Sequence, residues 1–150
     1  MTRKNTIDSL DTLVQLRTTQ VERLQADLAG QEATRARYQA NLERLAGLAD
    51  GSGASGAALA RNPALALNCG AYKQGVLALA DSHRTDLALH DANMAVSQGR
   101  LKDAWVRREL LGKVLEREQD ALAREQERAT KKREDDLATQ SWMTKRGKAA

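Results

Sequence analysis

Phenylalanine is absent from this 150-residue chain, proline and cysteine occur once each, and aromatic residues make up 3% of it. Each scarcity excludes something. A thick globular core is normally filled by bulky aromatics, and here only two Trp and two Tyr are available. With Cys69 alone no internal disulfide can form, so a reducing compartment is the default. No uninterrupted apolar run exceeds about five residues, against the roughly 20 that span a bilayer, and nothing near the start resembles a signal peptide. The expectation is a soluble, cytoplasmic protein. What remains is rich in Ala, Leu, Gln, Glu, Arg and Lys, the composition of long helices.

Against that background one pattern stands out. Taking Ile7 as position a and Leu10 as d, a seven-residue repeat reads Ile7, Leu10, Val14, Arg17, Val21, Leu24, Leu28, Gln31, Arg35, Tyr38, Leu42, Leu45, Ala49. Ten of the thirteen are apolar, and most residues between them are charged, polar or Ala. A stripe two positions wide in seven is a coiled-coil seam, too narrow for the face of a globular helix. Such a chain forms a rod, not a pocket, and rods act by binding partners.

The predicted organisation is all-α: two long helices in an antiparallel coiled-coil hairpin, the second longer and overhanging, forming one coiled-coil domain. Helix 1 is expected over about residues 6–49, with Asn5 or Thr6 as cap and Asp8 and Asp11 near its positive end. Gly47, Gly51, Gly53 and Gly56 make continuation costly, so residues of about 50–62 read as a hinge. Asn62 then offers a cap and Pro63 a first helical residue, where a missing N–H costs nothing; Asn68 is a second possible start. Helix 2 is expected over about 63–140, followed by a flexible basic tail over 141–150. Its heptad phase runs from Tyr72 through Val76, Ala80, Leu87, Met94, Leu101, Ala104, Leu111, Leu115, Leu122 and Ala129, with polar interruptions at His83, His90, Ser97, Arg108, Glu118, Glu125 and Lys132. Matching Ala49 with Pro63 across a short turn places Tyr38 near residue 74 and Ile7 near Trp105. About 35 residues of helix 2 then lack a partner, with Leu111, Leu115 and Leu122 exposed, and a lone helix of that kind is marginal in water.

The net charge of +4 is unevenly spread. Residues 1–50 carry seven basic and seven acidic groups, residues 51–99 three of each, and residues 100–150 fourteen basic against ten acidic. Asp103/Arg107, Glu109/Lys113, Asp120/Arg124 and Glu127/Lys131 sit four apart, acid first, as pairs that support an exposed helix. Lys131, Lys132 and Arg133 are blunted by the acidic Glu134, Asp135 and Asp136 that follow.

Catalytic and metal chemistry find no support. There is no G-x-x-x-x-G-K-[ST], and the Gly-rich stretch follows no strand. His83 and His90 share a helical face, but seven residues separate their attachment points by roughly 10 Å, too far to hold a metal unaided. Cys69 has no evident acid–base partner. No catalytic residue, cofactor or metal is expected. Tyr72, Val76, Leu79 and His83 form a stripe beside the hinge, with Tyr38 and Leu42 expected opposite. Leu79 lies outside the a/d pair and should be partly exposed, which suits a docking ridge. Trp105 and Trp142 are single aromatics whose role the sequence leaves open.

The run Asn68-x3-Tyr72-x3-Val76-x2-Leu79-x3-His83 resembles the start of the second helix in the bacterial flagellar export protein FliJ family. So does Trp105-x2-Arg108-x2-Leu111-x3-Leu115-x3-Gln119 with the Lys/Arg/Glu-rich segment that ends in Leu137 and Ala138. Length, two-helix plan and basic end agree over nearly the whole chain. The resemblance implies a non-enzymatic component of the flagellar type III export apparatus, similar to the γ stalk of rotary ATPases. It implies a cytoplasmic protein peripherally associated with the inner-membrane export apparatus, involved in flagellum biogenesis and hence motility and chemotaxis. Implied partners are the hexameric export ATPase, the cytoplasmic domain of the export gate, and export chaperones, with no nucleic acid and no membrane insertion.

The family's gate-contact surface maps to Tyr72, Val76, Leu79 and His83, and to Gln31, Arg35, Tyr38 and Leu42; Arg35 and Leu42 stand where apolar and aromatic residues are usual. The ATPase-facing end maps to the helix termini. There Leu111, Leu115 and Leu122 are candidate apolar contacts, and Arg107, Arg108, Arg117 and Arg124 candidate partners of acidic ring residues. The residues alone leave alternatives: a stalk of an injectisome or V/A-type ATPase, a basic coiled coil that binds nucleic acid, or a self-assembling filament protein.

Overall fold

A computed structural model describes residues 2–51 and 60–149, and all of these except Thr2 and Asn62 are helical. Helix α1 spans Arg3–Gly51 and helix α2 spans Pro63–Ala149. They pack against each other antiparallel, and α2 is the longer. Most of the expected hinge lies outside the described residues.

The ends follow from capping chemistry. At α1 the cap is Thr2, not Asn5 or Thr6: the Asn5 amide donates to Thr2 Oγ1 at 3.5 Å, so the helix starts three residues before the expected one. At α2 the Leu65 amide donates to Asn62 Oδ1 at 3.3 Å, with Pro63 at the first helical position. Asn68 starts nothing; α2 runs straight through Gly70 and Gly75. At its far end α2 continues to Ala149, beyond the expected stop near Gln140. That last stretch contains no proline and one glycine. Thr144 Oγ1 donates to the Gln140 carbonyl at 2.8 Å, and the Arg146 guanidinium lies 4.9 Å from the Trp142 ring centre, four residues apart on one face.

Internal contacts divide the chain into two compact units, one of Met1–Gln20 with Ala104–Ala150 and the other of Val21–Asp103. In the second, the buried residues are Val21, Ala49, Val76, Ala80 and Met94. In the first they are Ala104 and Leu115. Every one occupies an a or d position, so each core is the seam and nothing else. All thirteen predicted seam positions of α1 are buried or half-buried. At roughly 1.5–3 kcal/mol for each fully buried aliphatic side chain, this thin stripe is the main source of stability.

The register differs from the expected one. Tyr38 meets His83 and His90, at least nine residues further along α2 than residue 74. Arg3 meets Glu118 at 3.2 Å and also Glu125, so the start of α1 lies well past Trp105. The reason is that α2 does not turn back into the seam at Pro63. From residue 60 to residue 75 only Ala66 and Cys69 are even half-buried, and the first buried seam residue is Val76. Consequently Leu115 is buried and Leu111 and Leu122 half-buried, not exposed. Residues 123–149 are all exposed, and beyond Glu125, which still pairs with Arg3, the stretch 126–149 has no seam partner.

Candidate functional site

Within the unit of residues 21–103 the seam turns polar over its middle. Gln31 and Arg35 on α1 face His90 and Asp91 on α2. His90 Nε2 donates to the Gln31 backbone carbonyl at 2.8 Å, which places a proton on Nε2. Arg35 Nε donates to Asp91 Oδ1 at 2.7 Å, each side chain being 41% exposed. The Tyr38 ring stands edge-on to His83, with centres 6.2 Å apart, and tilts over His90 at 5.8 Å. Gln31 Oε1 and His83 Nδ1 are buried without a hydrogen-bond partner. Cross-seam polar groups of this kind specify register at some cost in stability.

Of the eight residues mapped to gate contact, six build this seam: Gln31, Arg35, Tyr38, Leu42 and His83 are half-buried and Val76 is buried. Tyr72 and Leu79 remain open, each about half exposed. They continue a stripe that begins with Leu65, seven residues apart at each step, with Leu67 and Leu77 nearby and also exposed. Leu65 and Leu67 were missed because they stand before the predicted start of the seam; their seven-residue spacing to Tyr72 and Leu79 was the available signal.

Within the other unit, the arginines and leucines mapped to ATPase contact separate. Arg107, Arg117 and Arg124 are exposed, and Arg108 is half-buried with Nη2 donating to Glu109 Oε1 at 2.6 Å. Leu111, Leu115 and Leu122 are turned into the seam. The apolar residues that are open here are others: Leu13, Leu16, Leu110 and Val114, with Trp105 and Val106. None of the four acid-first i,i+4 pairs is at ion-pair distance among the described residues, as expected where such pairs gain little; Glu109 turns to Arg108 instead. A shallow groove of about 300 Å³ at the start of α1 is lined by Arg3, Arg117, Asp120, Arg124 and Arg128.

Among the described residues no group of three His, Cys, Asp or Glu could hold a metal, and no helix is long and apolar enough to cross a membrane. The arrangement presents open apolar and charged faces to other chains. The family model described as Flagellar FliJ protein matches residues 6–147. The chain belongs to the FliJ family. It is thereby a component of flagellar type III protein export, and the family is not catalytic. No curated protein and no solved structure matches it. In this FliJ-family chain the family match covers both units, including most of the unpaired segment of α2.

Proposed function

We propose that this chain is the coiled-coil coupling element of flagellar export, binding the hexameric export ATPase and the cytoplasmic domain of the export gate, and escorting export chaperones. It acts in the cytoplasm, held peripherally at the inner-membrane export apparatus, and contributes through export to flagellum biogenesis, motility and chemotaxis. The observation that carries the reading is the stretch of α2 over residues 126–149, helical, charge-laced and without a seam partner. A helix of that length is marginal alone and gains order by entering a partner. A hexameric ring offers a central channel of matching form.

On this reading the ATPase contact comprises that stretch with Arg107, Arg117 and Arg124. Arg108, Leu111, Leu115 and Leu122 hold α2 in the seam behind them. The gate contact centres on the exposed Tyr72 and Leu79, backed by Gln31, Arg35, Tyr38, Leu42, Val76 and His83. The test is the hydrolysis rate of the cognate flagellar ATPase with the full chain and with a chain ending at Leu122. Stimulation by the first and none by the second is expected. Equal stimulation by both would remove the unpaired stretch from the ATPase contact. For the gate, Tyr72→Ala with Leu79→Ala should abolish capture by the gate's cytoplasmic domain and leave ATPase stimulation intact.

A further inference from the structure

The two flanks of the seam in the unit of residues 1–20 and 104–150 differ in chemistry. Leu13 and Val114 each immediately precede an a residue, Val14 and Leu115; Leu16 and Leu110 each immediately precede a d residue, Arg17 and Leu111. In an antiparallel pair these positions fall on the same flank. Leu13, Leu16, Leu110 and Val114 are 42%, 62%, 60% and 42% exposed, so the flank carries four large aliphatic side chains open to solvent. On α1 the surrounding flank residues are Thr6, Ser9 and Gln20, none charged. On α2 the rim is Arg107 and Arg117, both exposed and at ion-pair distance from no described carboxylate. The opposite flank carries Asp8, Asp11, Glu116 and Glu109, the last paired with Arg108, together with Lys4 and one large apolar residue, Trp105.

We infer that the Leu13, Leu16, Leu110 and Val114 flank binds an acidic amphipathic helix of another protein, which adds to the pair as a third strand. Its apolar stripe covers the four aliphatic side chains, and its carboxylates pair with Arg107 and Arg117. Charge decides the occupant. A second copy joined through this same flank sets the arginines against arginines or against the uncharged Thr6, Ser9 and Gln20, and in neither case supplies a carboxylate. A second copy offering its acidic flank brings a single large apolar residue to cover four. A separate acidic helix satisfies both requirements. This inference shares Arg107 and Arg117 with the ATPase contact proposed above but does not rest on it, because it concerns the chain alone with a defined probe.

The probe is a fluorescent synthetic peptide of about three heptads, with leucine at a and d and glutamate elsewhere, beside a counterpart with lysine for glutamate. Binding to the full chain is read by anisotropy at low and at physiological salt. The acidic peptide should bind and the lysine peptide should not, with affinity falling as salt rises. Leu13→Ser with Leu110→Ser should weaken binding at least about tenfold, since both losses fall in the buried stripe. Arg107→Glu with Arg117→Glu should reverse the preference toward the lysine peptide, and Leu79→Ser should change nothing. All substituted positions are exposed, and an unchanged melting curve confirms folding of each variant. Equal binding of both peptides, no binding of either, or indifference to the flank substitutions overturns the inference. So does a dimer of the free chain, seen by sedimentation, that the leucine substitutions dissociate.

Discussion

Gln31 occupies a seam position where its backbone carbonyl accepts a hydrogen bond from His90 while its side-chain oxygen is buried and unpartnered. A buried acceptor without a donor costs about 1–3 kcal/mol. Gln31→Leu keeps the backbone contact, removes the orphan and adds apolar area, so it should raise stability by roughly 1 kcal/mol, read as a higher thermal midpoint. A lower midpoint would mean that the amide is satisfied in solution. Arg35 and Asp91 present the opposite case. Their bond is short, but both side chains are 41% exposed, and exposed pairs typically contribute about 0.2–1 kcal/mol. A double-mutant cycle on Arg35→Ala and Asp91→Ala should return a coupling within that range; about 2 kcal/mol or more would contradict it. The position of Arg35 in the seam was legible in the heptads. Its partner was not, because Asp91 lies outside a and d.

At the scale of an element, each helix is held by its stripe and weakened by what interrupts it. Leu115 is buried and Leu110, about 1.4 turns away on another face of the helix, is 60% exposed. Leu115→Ala should therefore cost about 2–3 kcal/mol in chemical denaturation, at the lower end for a leucine because so thin a core can close up. Leu110→Ala should stay within about 0.5 kcal/mol, and equal losses would contradict the packing described. Gly99 sits inside α2 with nothing within 4 Å of where a Cβ would stand. Gly99→Ala should accordingly stabilise by about 0.5–1 kcal/mol, the difference in helix propensity alone. Amide exchange gives a further check along α2. Residues 123–149, all exposed, should exchange far faster than the seam between Val76 and Leu115.

For the whole molecule, the net charge of +4 comes entirely from residues 100–150, and that is also where α2 outruns its partner. The register determines which cut isolates this part. A chain ending at Trp105 would remove buried Leu115 and half-buried Leu111 and so damage the hairpin. A chain ending at Leu122 removes only exposed residues; of the contacts to α1 it loses the Arg3–Glu125 pair and keeps Arg3–Glu118. The shorter chain ending at Leu122 should keep the thermal transition of the seam while losing stimulation of the export ATPase. Reversing charge at Arg107, Arg117 and Arg124 together should weaken that stimulation, more so at low salt where exposed charges act over longer distances. Unchanged stimulation at low salt would remove these arginines from the contact.

Some of this was determined by the sequence alone. The α1 seam, the helical composition, the Asn62 and Pro63 start of α2 and the partial exposure of Leu79 are local properties, set by a repeat and by capping within a few residues. Membership of the export family was likewise legible in the spacing of Tyr72, Leu79, His83 and Trp105. Only the tertiary structure decided the register. A heptad pattern fits its partner almost equally well after a slip of seven residues, so the apolar stripe cannot choose. The choice rests on polar groups far apart in sequence: His90 on the Gln31 carbonyl, Arg35 on Asp91, Arg3 between Glu118 and Glu125. With that choice came the turning of Leu111, Leu115 and Leu122 into the seam and the opening of the Leu13, Leu16, Leu110 and Val114 flank. Burial belongs to pairs of helices, and a single helix's sequence does not contain it.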